Sequence, residues 1–294
     1  MALGTDHYTG GDVAVFTPEI WGTRVNDFFR EVLEVAPKFT DRSDEVAMGG
    51  DVIYTPGTTA FTANTKAGQT QVTLQSPTET AVTLNVNVHK EASFLLEDAQ
   101  RAQVKRSYTL QERRAKDLAY AVGLDLELAL TGLFSSFTDS VGATGTVLTE
   151  AVCREAISKV RTNIKGAFKQ SELNFFLAPK TIWEDAMTSD RFVSFDFGGN
   201  GGMEGSRSLP YIHGIAVCDT TSVTDDATDY SGALAHKDAI HFATASLPGA
   251  KDANGVRLQA QYKQEYLGEL VTADILYGVV MNRPEAGVEI VSAV

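Results

Sequence analysis

Residues 107–134 are the longest stretch of this chain that reads as one unbroken helix, and the rest must be arranged around it. Tyr108, Ala115, Ala119, Val122, Leu126, Ala129 and Leu133 fall on one face of a 3.6-residue period. No proline interrupts the run, and Gly132 lies only near its end. Thr109-Leu110-Gln111-Glu112 matches a capping box, in which hydroxyl and carboxylate satisfy otherwise orphaned amides. At about 1.5 Å per residue the helix spans roughly 42 Å, the width of a small domain. Lys116, Asp117, Asp125 and Glu127 predict that it packs on one side and stays wet on the other. Flanked by strand-rich segments, it is a spine.

Ahead of the spine, residues 1–16 are glycine-rich and polar and read as an extended arm. Thr17-Pro18 reads as an N-cap followed by proline at the first helical position. Trp21, Val25, Phe28, Val32 and Val35 follow at helical steps until Pro37. This aromatic stripe has two readings, packing on its own core or docking on a neighbouring subunit. Gly49-Gly50 is a turn, residues 51–55 a short strand stopped by Pro56, and residues 81–90 the cleanest strand, with Val82, Leu84, Val86 and Val88 on one face. Between them, residues 57–80 have few apolar side chains beyond Phe61, Val72 and Leu74. A connection this long with no core of its own is usually functional or disordered. Its alternation over 71–75 favours an extended β-hairpin projecting from the body, which needs something else to lie on. Residues 91–104 read as a second helix that buries Phe94, Leu95, Ala99 and Ala102.

Beyond the spine, residues 135–146 are small and polar and read as a domain boundary. Thr149 caps a helix with the stripe Val152, Ala156, Val160 and Ile164 and a stop at Gly166. Strands are predicted over 174–178, 212–218 and 239–244, with a short helix over 179–187, so that 149–246 forms one compact α/β unit. Inside it, residues 197–205 make a flexible glycine loop, and Asp225, Asp226 and Asp229 an acidic one. From Arg257 the chain returns to strands, with Leu258, Ala260 and Tyr262 alternating, a long apolar strand over 270–281 and a last short one over 288–291. This order implies that the first and last thirds share a domain into which the middle is inserted.

With 38 acidic and 25 basic side chains, the formal charge is −13. That disfavours a general nucleic-acid binder, whose affinity comes from Lys and Arg, but not a protein that faces nucleic acid without gripping it. Cys153 and Cys218 are too few for a zinc site or a disulfide framework and point to a reducing compartment. Residues 1–6 lack a signal-peptide pattern, and no run approaches the roughly 20 apolar residues of a membrane span, so a soluble, cytoplasmic protein is expected.

Catalytic motifs are missing: there is no G-x-S-x-G, H-E-x-x-H, C-x-x-C or P-loop pattern. The glycine loop at 198–205 matches no dinucleotide fingerprint. His236, Asp238 and His241 are read as surface positions near a strand, with the two histidines on opposite faces. The three aspartates lack the rest of a calcium-loop pattern and are read as solvated turn residues. Cys153 is read as a small buried hydrophobe. The basic residues Arg101, Lys105, Arg106, Arg113, Arg114 and Lys116 are interleaved with acids and read as a helix face that engages acidic groups on neighbouring subunits. No catalytic residue, cofactor or metal is expected.

Three segments carry a family resemblance: Phe16-Thr17-Pro18-Glu19-Ile20-Trp21, the two-stranded loop between Val52 and Val88, and Phe94-Leu95-Leu96-Glu97-Asp98-Ala99 running into the Leu118-Ala119-Tyr120-Ala121 centre of the spine. In this order they resemble the major capsid protein of tailed bacteriophages, the Hong Kong 97-type fold, and the succession is similar to its podovirus branch. The resemblance covers nearly the whole chain and rests on element order.

It implies an α+β capsid fold: an N-terminal arm with an amphipathic helix (1–47), an extended β-hairpin loop (48–90), a peripheral domain with the spine helix (91–146), an α/β axial domain (147–250) and returning peripheral strands (251–294). It implies a homo-oligomer of pentamers and hexamers forming an icosahedral shell around double-stranded DNA, held without sequence-specific binding and without a membrane. A virion capsid assembled in a bacterial host cytoplasm, with a portal protein, follows, and a decoration protein is left open. Some members carry a scaffolding segment that a protease removes; here the arm begins almost at Met1, which implies a separate scaffolding protein or an already mature sequence. Some members also cross-link a loop lysine to an asparagine; Lys66 and Asn282 are the corresponding candidates. The interface candidates are Trp21, Phe28, Phe61, Lys66, Val72, Leu74, Arg106, Arg113 and Arg114, with Gly199 and Gly201 in a loop that absorbs the difference between five- and six-fold surroundings. The alternatives are an encapsulin-type compartment shell, distinguished by a protein cargo, and a soluble α/β enzyme, which requires a deep pocket of converging ionisable groups.

Overall fold

The period-2 run around residue 85 does not form one strand, because its two halves belong to different sheets. In the computed structural model, which describes residues 33–47, 49–103, 107–165, 169–186, 211–248 and 255–294, strand β2 (Val52–Thr58) pairs antiparallel with β3 (Glu79–Asn85) as a two-stranded ribbon. The chain then breaks over Val86 and Asn87 and resumes as β4 (Val88–Glu97) in another sheet. Gly278 shows why the break falls there. A Cβ at this glycine would lie 2.0 Å from the Asn85 carbonyl oxygen and 3.0 Å from the Val86 Cα, so the chain changes sheets across a bare backbone. The expected stop at Pro56 is not observed: β2 continues through it, because an edge strand tolerates a missing N–H.

The second correction is residues 91–97, expected to be helical. They extend β4, which pairs with β13 (Gly268–Met281) over ten residues, leaving only Asp98–Gln103 as helix α2. Phe94-Leu95-Leu96 is a short apolar run that fits either period, and the long partner strand decides it. Leu96 is buried, Phe94 and Leu95 are half-buried, and Ala99 and Ala102 are exposed.

Strand β13 is the axis of a five-stranded sheet. One of its edges carries β4; the other carries β11 (Ile240–Ala245) and then β12 (Arg257–Lys263), with the short β1 (Thr40–Asp41) parallel to β11. The spine, α3 (Ser107–Thr131), lies on this sheet, at about 38 Å nearly as long as expected. The helix has already begun at Ser107, so the expected capping box lies inside it. Its buried stripe is Val122, Leu126, Leu130 and, in the short 3₁₀ turn that follows, Phe134.

The spine's acids are not simply wet, as was expected. Glu127 is 1% exposed, and its Oε1 accepts the Val35 N–H at 2.8 Å. Asp125 accepts from the Tyr277 hydroxyl at 2.7 Å and from Lys90 at 3.1 Å. The stretch Arg113–Ser136 is also, contrary to expectation, long and apolar enough by length and composition to cross a membrane, yet its apolar stripe is in the protein core.

A seven-stranded sheet runs in the order β5 (Asp139–Gly142), β14 (Gly287–Ala293), β10 (Asp229–His236), β6 (Leu173–Leu177), β8 (Ile215–Asp219), β7 (Tyr211–Ile212), with β9 (Thr224–Asp225) beside β10. Alternation gives the sheet two buried faces. Phe175, Leu177 and Leu234 face helix α4 (Glu150–Ile164), against Cys153, Ala156 and Val160. Phe176, Ala233 and Ala235 face the spine, where Phe176 stacks on Phe39 with centroids 5.0 Å apart and meets Phe134 at 5.5 Å. β5 sits in the stretch expected to be a polar boundary. β11 falls inside the segment expected to be a separate α/β unit, yet it pairs in the five-stranded sheet. Residues 179–187 contain a π-helical turn, Thr181–Ala186.

Candidate subunit interface

Beyond Thr58 and Glu79 the ribbon continues as a long extended loop with little to pack on. Leu74 is 89%, Phe61 71% and Val72 60% exposed, and Lys66 lies at the same end, also exposed. Local bonds keep the two limbs together: the Thr59 N–H donates to the Thr78 carbonyl at 3.2 Å, and the Thr62 N–H to the Gln75 side chain at 2.9 Å. The base is anchored by Val46, Ile53, Leu84 and Val86 around Ala243, and by a bond from the Arg42 guanidinium to the Thr55 hydroxyl. Three large apolar side chains thus stand exposed together on a firmly rooted ribbon.

The other expected contact residues are dispersed. Arg114 is exposed and places its guanidinium 5.8 Å from the centre of the Phe94 ring, and Arg113, next to it, is half-buried. Trp21, Phe28, Arg106, Gly199 and Gly201 lie outside the described residues, as do residues 17–32 of the expected N-terminal helix. Asn282 donates to the Asp238 carbonyl at 3.1 Å and is bonded to the His241 ring at 3.2 Å. Both strands of the β12–β13 hairpin were expected, but not that it presents apolar surface. Leu258, Tyr262, Tyr266 and Leu267 are all about half exposed or more, and the alternation in β12 gave no sign that both of its faces are open.

A cleft of about 700 Å³ lies between the spine at Gly123 and Leu126, Phe39, Phe242 and Ile275. Its acids are Asp41 and Glu127, and one oxygen of Glu127 is taken by the backbone. Cys153 and Cys218 are buried, and burial pushes both thiols up to about 12, far from a reactive thiolate. Among the described residues no group of three or more His, Cys, Asp or Glu side chains is placed to hold a metal. His236 and His241, expected at the surface, are both buried, on consecutive strands. His236 bonds Glu172 at 3.1 Å, and His241 bonds Asn282. Asp225 and Asp226 are exposed turn residues, but Asp229 is buried and accepts the Gly145 N–H at 2.7 Å.

A rooted ribbon, a long spine on a five-stranded sheet and a second sheet buried on both faces make up the Hong Kong 97-type fold seen in solved phage capsid structures. The particular comparisons are with solved phage structures. A chain from Mycobacterium phage Che8 is 17% identical, with a TM-score of 0.77, over 94% of this chain and 97% of that one. The capsid of cyanophage P-SCSP1u gives 14% identity and a TM-score of 0.71, covering 98% and 96%. The head structure of Helicobacter pylori bacteriophage KHP40 gives 13% and 0.71, covering 99% of both chains. No family model and no curated protein matches this sequence.

Proposed function

We propose that the chain is the major structural subunit of a bacteriophage capsid, assembling into pentamers and hexamers of an icosahedral shell around double-stranded DNA. The observation that carries this reading is the ribbon from Val52 to Asn85, with Phe61, Val72 and Leu74 exposed at its far end, on a chain whose fold is that of phage capsid structures. The ribbon's apolar end lies over a neighbouring subunit. Many modest contacts of this kind, linked in one closed assembly, hold far more tightly than any single interface. The five-stranded sheet with the spine is the peripheral region, and the seven-stranded sheet with α4 gathers at the symmetry axes. The net charge of −13 keeps the interior from gripping packaged DNA. A separate scaffolding protein directs closure, a portal protein occupies one vertex, and the chain itself performs no chemistry.

Negative-stain electron microscopy of the purified chain, expressed with and without a scaffolding protein, tests this. Closed shells or capsomer rings are expected, with closure dependent on the scaffold. A monodisperse small oligomer under every condition overturns the reading. Closed shells without a scaffold, filled with a protein cargo, replace it by a compartment shell.

A further inference from the structure

Charge is segregated within the seven-stranded sheet and its helix. From Arg154 to Lys169 the sequence carries five basic side chains against the single acid Glu155; from Gly214 to His236 it carries four aspartates and neither Lys nor Arg. The fold places the aspartates of the second stretch at the opposite end of the strands from the cleft that Arg154 and Arg161 line. β6 and β8 run parallel, and both begin beside the basic stretch, at Gln170–Glu172 and at the His213-Gly214 turn. Both end toward the acidic stretch, where Thr224–Asp225 pairs with the start of β10. Five residues of strand separate the two ends by about 16 Å, so neither can neutralise the other within one chain.

Each end is built. At the basic end a cleft of about 270 Å³ is lined by Arg154, Ile157, Arg161, Gln170, His213 and Ile215. Glu150 sits beside it, 2.8 Å from the Arg154 guanidinium and 3.3 Å from the His213 ring. At the acidic end, the exposed Asp225 and Asp226 side chains are fixed by backbone N–H groups: Ala227 to Asp225 at 2.6 Å, Thr228 and Asp229 to Asp226 at 2.9 and 2.7 Å. These bonds hold the Asp226 carboxyl below its usual range, so the turn stays charged.

We infer that the cleft between α4 and the β7–β8 turn is the socket for the Asp225-Asp226 turn of a second copy of this chain. Unlike patches on one subunit meet head to tail and close into rings, whereas a two-fold contact needs a self-complementary patch. Complementary charge of this kind selects partner and register more than it adds affinity. The inference rests on the shell reading and names a contact within each ring.

Three variants test it, by sedimentation velocity and electron microscopy, with circular dichroism to confirm folding: Arg154→Glu/Arg161→Glu, Asp225→Lys/Asp226→Lys, and all four together. Each one-ended reversal is expected to raise the concentration needed for ring formation at least tenfold, and the four-fold reversal to return it to within about twofold of the parent. An equimolar mixture of the two one-ended variants is expected to restore six-membered rings, in which copies can alternate, but not five-membered ones. Should loss of the Arg154–Glu150 pair prevent folding, Arg161→Glu combined with Asp226→Lys serves the same comparison. One-ended reversals that assemble like the parent, or a combined reversal no better than its parts, overturn the socket while leaving the shell reading intact. A parent chain that forms no rings overturns both.

Discussion

The hydroxyl of Tyr277 donates to Asp125 across 2.7 Å, joining the C-terminal half of the long strand to the C-terminal half of the long helix. Burial, and then this bond, push the phenol up from its ordinary value, so it remains a donor throughout the neutral range. Tyr277→Phe keeps the ring and removes the bond. A loss of about 1–2 kcal/mol is expected in chemical denaturation, since Asp125 retains Lys90.

Gly278 is expected to be the least replaceable glycine of the five-stranded sheet. Alanine there must displace the Asn85 carbonyl, which a Cβ would approach to 2.0 Å. Gly278→Ala is expected to cost about 3 kcal/mol or more, or to abolish soluble expression. Gly68→Ala, where nothing lies within 4 Å, is the control and should melt like the parent.

Acid should weaken the turn between β10 and β11. The Lys237 ammonium beside Glu172, with the His236 ring, brings that carboxyl down from 4.5 to about 2. A depressed carboxylate contributes stability that is fully present above the unfolded value and is lost as pH falls from about 4.5 toward about 2. Glu172→Gln should flatten the stability profile over that window, measured by denaturant titration at successive pH values.

His241 should give a second, higher window. Burial lowers its pKa from 6.5, aided by Arg42 and Arg283 and opposed by Asp238 and Glu45. A neutral buried base binds fewer protons folded than unfolded, so stability declines as pH falls below about 6.5. His241→Gln has no proton to gain and should lose this slope between pH 6.5 and the folded value while retaining the decline due to Glu172.

The end of the ribbon should matter to assembly and not to folding. Leu74→Ser and Phe61→Ser remove exposed apolar surface, so each should shift monomer stability by no more than about 0.5 kcal/mol. The same variants should reduce shell yield, scored by sedimentation of assembled against unassembled protein.

Long periodic segments were legible in the sequence. The spine, α4, β13 and β14 lie within a few residues of where periodicity puts them, because each has a single dominant burial face. Legibility failed where a partner decides. Residues 91–97 become strand only because β13 is there to pair with them. β10 went unread because Gly232 and its small neighbours carry little signal. The fold shows their reason: a Cβ at Gly232 would lie 2.7 Å from the Phe176 carbonyl. Glu127 was read as solvated because sequence cannot show that the Val35 amide arrives above it. The proposed interface was legible only as surplus, a long stretch with nothing of its own to cover Phe61, Val72 and Leu74. The basic cleft combines α4 with a turn some fifty residues later, a juxtaposition no local pattern announces.

Strand β12 is an edge strand of its sheet among the described residues, and side chains on both of its faces are open. Such an edge offers a row of unpaired N–H and C=O groups to any extended chain nearby. Arg257 and Lys263 stand at its two ends, and between them Leu258 and Tyr262 supply the apolar surface that makes edge pairing favourable. Newly made copies at high concentration therefore face two competing routes, ordered closure and irregular stacking edge to edge. Which route prevails depends on how quickly correct neighbours arrive, so soluble yield should respond to the rate of synthesis as strongly as to the stability of the fold.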